Sequence, residues 1–262
     1  MATVTEHPAG VPSWTDLATP DPEAAKAFYG ELFGWSYESN PTGTPGNDYI
    51  MANKGDSAAA GIMLLSEEMA ASGMPPVWST YVTVTDIEAT AKKAEAAGGT
   101  VLQAPMEVMQ AGRMAVLSDP AGAVICAWQP LEHIGAEVIN EHGAFTWAEL
   151  MTPDPAAVEG FYAEVFGWSA NTSPMPDVDY TVFNVEGGNP DGVAGAMKPP
   201  MDGMPAFWGV YFAVDDAAAT AERATELGAT LMMEPTAMPG VGTLAAISDP
   251  QGAMFSIMTP EG

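Results

Sequence analysis

Lysine and arginine are nearly missing from this sequence. Seven basic residues face thirty-four acidic ones in a chain of 262, a formal charge of −27. The acid content is ordinary, so the missing basic residues create the imbalance. Such a surface argues against nucleic acid and anionic membranes as partners, since both are held through basic patches. Anionic ligands are disfavoured unless a local cation such as Arg113 accompanies them. A high-salt setting would account for the deficit, and solubility is the simpler reason. Cys126 is the only cysteine; it excludes an internal disulfide and suits a reducing cytoplasm. No apolar run approaches the ~18 residues of a membrane span. The opening MATVTEHPAGVP lacks the basic start and apolar core of a secretion signal. Histidine is scarce too: His7, His133 and His142 are the only three. These absences describe a cytoplasmic globular protein, and the 47% hydrophobic content agrees.

What the chain does contain is a repeat. Residues 13–36, SWTDLATPDPEAAKAFYGELFGWS, return at 146–169 as TWAELMTPDPAAVEGFYAEVFGWS, identical at 14 of 24 positions. Each copy predicts a short strand, a capped helix and a glycine stop. Asp21 is the natural N-cap and Pro22 takes the first helical position, where a missing N–H costs nothing. Ala25, Phe28, Tyr29, Leu32 and Phe33 then line one helical face, and Gly34 supplies the left-handed end. Asp154, Pro155, Val158, Phe161, Tyr162, Val165, Phe166 and Gly167 repeat the pattern.

Taken in order, residues 1–12 predict a flexible lead-in. Strand-like runs around Tyr49–Met51 and 58-AAAGIMLL-65 complete a first module over 13–65. Residues 66–76 are a surface connection. A second module, 77–130, opens on the β run VWSTYVTVTD, continues through a helix capped by Asp86, and closes on a hairpin turned by Asp119-Pro120-Ala121-Gly122. Both modules are ordered βαβββ. A linker, 131–145, precedes the second half, whose modules span 146–198 and 206–259. Trp14/Trp147 are separated by 133 (147 − 14), and Trp78/Trp208 and Asp119/Asp249 by 130 (208 − 78, 249 − 119). The expected fold class is α+β, four βαβββ modules in two tandem domains, 13–130 and 146–260.

Paired βαβββ modules with this helix signature and the DPxG hairpin resemble the vicinal oxygen chelate superfamily, which includes glyoxalase I, bleomycin-resistance proteins and extradiol dioxygenases. The Trp-x-Asp/Glu-Leu opening and the linker EHIGAEVINEHGAFTWAEL are similar to two-domain actinobacterial glyoxalase-like proteins often labelled hydroxylases. The resemblance covers residues 10–259. It implies that each module pair curls its strands into a cup, with pairing within or between halves left open. It also implies where metalloenzyme members carry ligands: here Trp14, Ser79, Trp147 and Gly209 on first strands, and positions near Cys126 and Ser256 on last strands. Those positions do not supply the three or four converging donors a catalytic metal needs, so no metal and no other cofactor is expected.

If that geometry holds, strand alternation turns Trp14 and Asp16 into the first cup and Trp147 and Glu149 into the second. Tyr81 and Tyr211 share those faces, as do Trp128 and Met258. The candidate catalytic residues are therefore Asp16, Glu149, Tyr81 and Tyr211. A carboxylate beside indoles loses solvation and becomes a plausible proton shuttle, while a phenol can hydrogen-bond a developing enolate. The alternative is that Asp16 and Glu149 pair structurally with backbone donors. Ligand-binding candidates are Trp14, Trp128, Trp147, Trp208, Arg113 and Met63. For Trp14 and Trp147 a core role is the competing reading, for Arg113 a surface salt bridge, and for most methionines gap-filling. Trp35 and Trp168 read as core plugs, and Cys126 as an inert strand residue.

Two function classes follow. One is a metal-independent enzyme of lyase, isomerase or hydroxylase type that tailors a small apolar or aromatic molecule by carboxylate-assisted proton transfer. The other is a protein that binds and sequesters such a molecule. A metal-dependent glyoxalase or dioxygenase is disfavoured by ligand supply. The expected partner is a small molecule, with the chain a monomer or homodimer.

Overall fold

A computed structural model of the chain describes residues 3–43, 48–174 and 179–261. The first half runs β1 (Pro12–Thr19), α1 (Pro22–Phe33), β2 (Ser36–Asn40), β3 (Tyr49–Lys54), β4 (Ser57–Leu64), α2 (Glu67–Ala71), β5 (Val77–Thr83), α3 (Ile87–Ala96), β6 (Thr100–Val108), β7 (Gly112–Ser118) and β8 (Val124–Pro130). The second runs β9 (Ala144–Met151), α4 (Pro155–Phe166), β10 (Ser169–Pro174), β11 (Asp179–Asn184), β12 (Ala194–Met197), β13 (Phe207–Ala213), α5 (Ala217–Glu226), β14 (Thr230–Met238), β15 (Gly242–Ser248) and β16 (Met254–Pro260). The βαβββ order therefore occurs four times, as the repeat implied. The short helix α2, capped by the Ser66 hydroxyl, was not expected within the 66–76 connection.

The caps work as the sequence suggested in α1. The Asp21 carboxylate accepts from the Ala24 N–H at 3.0 Å, and Gly34 closes the helix in the left-handed region at φ 71°. Asp154 takes the same backbone conformation ahead of α4 but its side chain makes no cap hydrogen bond.

Each half forms one eight-stranded sheet, ordered β2-β3-β4-β1-β5-β8-β7-β6 and β10-β11-β12-β9-β13-β16-β15-β14. The first strands of the two modules, β1 and β5 or β9 and β13, run antiparallel at the centre. The modules thus pair within each half. Alternation then divides every central strand between two environments. Leu17 and Trp78 face the helices and the opposite half, whereas Trp14, Asp16 and Tyr81 face the curled inner surface. In the second sheet Leu150 and Trp208 face the core, and Trp147, Glu149 and Tyr211 face the other way.

A single apolar core spans both halves. Phe33 packs on Phe212 with ring centroids 5.1 Å apart, and Tyr29 on Phe255 at 5.5 Å. Hydrogen bonds cross the same seam in a matched pair. The Trp78 indole N–H donates to the Tyr29 hydroxyl at 3.0 Å, and that hydroxyl donates to Asp249 Oδ2 at 2.9 Å. Trp208, Tyr162 and Asp119 repeat the chain in the other direction, at 3.0 and 2.8 Å. The aspartate of each DPxG turn thereby has two tasks. Its Oδ1 accepts the turn's own N–H groups, and its Oδ2 receives a tyrosine from the other half. Trp35 and Trp168 also tie the halves, donating to the Gly143 and Gly10 carbonyls.

Residues 3–11 are held at several points. The Val4 N–H donates to the Glu137 carbonyl, Gly10 to Thr83, and the His7 ring contacts the Ala136 carbonyl at 2.8 Å. No helix among the described residues is long and apolar enough to cross a membrane.

The tyrosine bridges give a direct stability test. Tyr29→Phe leaves the Trp78 N–H and Asp249 Oδ2 without their partner in a dry core, so urea denaturation should show a loss of about 1–3 kcal/mol. Tyr37, whose buried hydroxyl has no partner, is the control: Tyr37→Phe should be neutral or slightly stabilising.

Candidate functional site

Each cup is built around one acid on the central strand. In the first, Asp16 Oδ2 accepts from the Tyr81 hydroxyl at 2.9 Å and from the Tyr49 hydroxyl at 3.2 Å. The Trp14 indole N–H donates to the Tyr49 oxygen at 2.9 Å. In the second, the Tyr180 hydroxyl donates to Glu149 Oε1 at 2.8 Å and the Tyr211 hydroxyl to Oε2 at 2.6 Å. The Trp147 N–H holds Tyr180 at 3.0 Å. The partners of both acids are phenols, where the sequence had left backbone donors as the alternative.

Tyr49 was placed in a strand by the sequence reading and given no role, and Tyr180 was not singled out. They come from β3 and β11, and they reach the acid only because the intervening strand carries glycine at the crossing point. A Cβ on Gly61 would lie 2.0 Å from the Tyr49 hydroxyl, and a Cβ on Gly195 would lie 2.0 Å from that of Tyr180. The available signal was the Asp-Tyr pair at the start of both strands, 131 apart (180 − 49), with a glycine after each.

Burial shifts both acids. Asp16 is 3% exposed and Glu149 5%. Desolvation pushes the Asp16 pKa up to about 6, against the pull of the Tyr81, Tyr49 and Ser79 hydroxyls, which favour the ionised form. Glu149 moves in the same direction for the same reason, opposed by Tyr211 and Tyr180. The four tyrosines are driven upward, chiefly by burial and then by the adjacent carboxylate, so they remain donors at neutral pH. Asp16 Oδ1 is buried and lacks a hydrogen-bond partner.

The cups differ in what covers them. In the first, Trp14, Tyr81, Cys126 and Trp128 are all buried in a satellite cluster that includes Ala136, with Ile139 packed against it. The cover is the linker. The Ala136 N–H donates to the Ser13 carbonyl, Glu137 exchanges hydrogen bonds with the Ala58 backbone, and the Trp128 N–H donates to the His133 carbonyl at 2.9 Å. The His133 ring stands edge-on to Trp14, centroids 4.5 Å apart. In the second cup Trp147, Tyr180, Tyr211, Ser256 and Met258 are only half-buried around Glu149. The second cup is the more exposed of the two, although Tyr49, Met51, Met63 and Ser79 on the first are half-buried as well.

This placement corrects several expectations. Trp14 and Asp16 lie inside a filled interior and do not border an open hollow. Trp208 does not face its cup at all; it pairs with Leu150 across the sheet and is buried in the main core against Tyr162. Arg113 is on the outer face of β7, bound to Glu88 of α3 through both terminal nitrogens, the surface salt bridge that was its competing reading. Met63 shares the Asp16 face and is half-buried, and Trp128 lines the filled cup. Cys126 is buried, and desolvation raises its thiol pKa strongly. A hollow of about 390 Å³ at the seam is lined by Lys54, Glu141, His142 and Asp215, away from both acids.

The family model of the Glyoxalase/Bleomycin resistance protein/Dioxygenase superfamily matches residues 11–127 and again 144–257. The chain belongs to that superfamily. CFP32 of Mycobacterium tuberculosis, named after the glyoxylases, is 42% identical over 256 residues, 97% of either chain. The anthracycline biosynthesis protein DnrV of Streptomyces peucetius is 34% identical over 271 residues, covering 97% of this chain and 95% of its own. Among solved structures, the 2,3-dioxygenase LapB from Pseudomonas sp. KL28 superposes with a TM-score of 0.66 at 16% identity, covering 100% of this chain and 94% of its own. The Mn(II)-bound glyoxalase from Novosphingobium aromaticivorans gives 0.67, also at 16%, over 96% and 82%. Those two likenesses speak for the fold alone.

Metal binding in members of this superfamily raises the question of fit. No group of three His, Cys, Asp or Glu among the described residues is arranged to hold an ion. In the open cup both Glu149 oxygens already accept phenols, and the neighbouring strand positions are Trp147, Gly209 and Ser256. The donor set does not suit a divalent metal.

Two outcomes follow for the acids. The native Asp16 keeps its proton to about pH 6, whereas the unfolded chain releases it near 3.8, so stability from this group is present at low pH and lost as pH rises through that window. The stability difference between wild type and Asp16→Asn should change by roughly 2 kcal/mol between pH 4 and 6.5 in urea titrations. Tyr180→Phe removes a bond that favours ionised Glu149, and Gly195→Ala expels the same phenol. Both should raise the Glu149 pKa further in a carboxyl NMR titration, while Gly209→Ala, whose added Cβ meets nothing closer than 3.8 Å, should not.

Proposed function

We propose that the chain is a metal-independent tailoring enzyme of secondary metabolism, acting on a small apolar or aromatic molecule in its second cup. The observation that carries this reading is a buried Glu149 of raised pKa, clamped by Tyr180 and Tyr211, on the more exposed of the two acid-centred inner faces among the described residues. A carboxylate poised closer to neutrality than usual is suited to proton transfer in either direction. The 34% identity to a protein named for anthracycline biosynthesis supports the same class of chemistry.

In the proposed cycle the substrate lies over Trp147 and Met258 with an acidic C–H or O–H toward Glu149. The ionised carboxylate takes that proton, and the bonding electrons remain on the substrate as an enolate or phenolate. Once Glu149 is neutral it holds its phenol donors less tightly. The Tyr211 O–H can then turn to the new oxyanion, a donor that strengthens where charge develops. Glu149 returns the proton to a different atom, which isomerises the substrate or expels a leaving group with no net change in electrons. The filled first cup contributes rigidity and no chemistry.

Glu149→Gln keeps the shape and the acceptor for one phenol but cannot carry the proton. Product formation from anthracycline-type aromatic substrates, followed by mass spectrometry, should fall by ~10²–10⁴-fold while substrate affinity stays within a few-fold. Wild-type turnover should survive exhaustive chelation. Binding without any wild-type product would turn the reading to sequestration, and loss of activity on chelation that returns with added metal would overturn metal independence.

A further inference from the structure

The two halves are copies, so the filled cup indicates what the open one is shaped to hold. The Trp–Tyr–acid–Tyr frame is the same in both: Trp14, Tyr49, Asp16 and Tyr81 against Trp147, Tyr180, Glu149 and Tyr211. Only in the first does a flat ring complete it. The His133 imidazole stands at 85° to Trp14, 4.5 Å between centroids, and at 68° to Trp128, 5.9 Å away. Its backbone carbonyl accepts the Trp128 N–H. At the second cup Trp147 is half-exposed and has no ring neighbour among the described residues, and the counterpart of Trp128 is Met258 (128 + 130).

We infer that the second cup takes a flat, uncharged aromatic ring, edge-on to Trp147 and beside the Met258 thioether, in the place His133 occupies in the first cup. The inference rests on the second cup being the ligand site, and it names the ligand class. An indole presents a negative face to the positive edge of a second ring, and a saturated ring has no such edge. Exchange of Trp128 for Met258 keeps an aromatic partner favourable, since a thioether sulfur packs well against ring edges. An anion is disfavoured, since a chain of net charge −27 with an acid at the cup's centre repels one, and the ring that fills the first cup is itself neutral, burial pushing the His133 pKa down to about 4.

Three probes of one carbon skeleton separate the possibilities: 2-naphthol, its saturated analogue decahydro-2-naphthol, and the anion 2-naphthoate. Their affinities for the full chain are read by calorimetry. The expected result is 2-naphthol binding ~10-fold or more tightly than either of the others. Trp147→Ala should weaken 2-naphthol by a similar factor, and Trp147→Phe, which restores a ring, should recover most of it; circular dichroism verifies that both variants fold. Equal binding of the saturated analogue, with sensitivity to Trp147→Ala, would overturn the ring inference and leave the site in place. Binding by none of the probes, or binding indifferent to both Trp147→Ala and Glu149→Gln, would remove the second cup as the ligand site and the ring inference with it.

Discussion

A carboxylate on the central strand of a sheet, facing inward and stripped of water, is the constraint on which the rest depends. An isolated buried charge is not tolerated; it must be paired, hydrogen-bonded or protonated. In a chain with two arginines, Arg113 on β7 and Arg223 on α5, both already bound to glutamates, a cation is not at hand. The solution in each half is a pair of phenols. One comes from the neighbouring central strand, β5 or β13, and the other crosses over β4 or β12 from the strand beyond. That crossing requires Gly61 and Gly195, and it requires an indole N–H to steady the tyrosine. Four strands are thereby committed to one polar cluster, and a side chain at either glycine would undo it.

From this common frame the two halves diverge by a covering segment. The linker crosses the first cup and is fastened to two adjacent strands, at Ser13 on β1 and Ala58 on β4. The acid beneath it is left with an unpartnered oxygen, and burial raises its pKa to about 6. The second cup has both acid oxygens satisfied and its walls half-open. The acid itself is buried in both cups, and what differs is the ring of side chains around it.

The duplicated helix signature, the DPxG turns and the strand alternation made the four modules legible from the sequence, because caps, turns and periodicity are local. Alternation also carried Trp14, Asp16, Tyr81, Trp147, Glu149 and Tyr211 to the correct faces. Trp208 was counted among the ligand-binding candidates although it adjoins Gly209, a cup position, and alternation itself turns it to the core. Tyr49 and Tyr180 escaped notice because their role depends on a partner two strands away. His133 escaped because a linker has no periodicity from which to infer where it lies. Arg113 was misjudged for a related reason: its destiny was set by Glu88 on α3, twenty-five residues earlier, and no local pattern announces that pairing.

The cross-half bridges explain why a filled cup would be retained beside an open one. Tyr29 and Tyr162 reach from one half to the turn aspartate of the other, and Trp35 and Trp168 anchor to backbone across the same seam. The back of the second sheet is therefore packed against the first half as part of one core, and Leu150 and Trp208, which alternate with Glu149 and Gly209, belong to that core. Any displacement of the first half would reach Glu149 through its own strand. A cup whose interior is saturated by its own linker is stiffer than an open one, since its side chains have no vacant space to enter. The first half thereby packs as a floor beneath the strand that carries Glu149, with Leu150 and Trp208 fixed in the shared core.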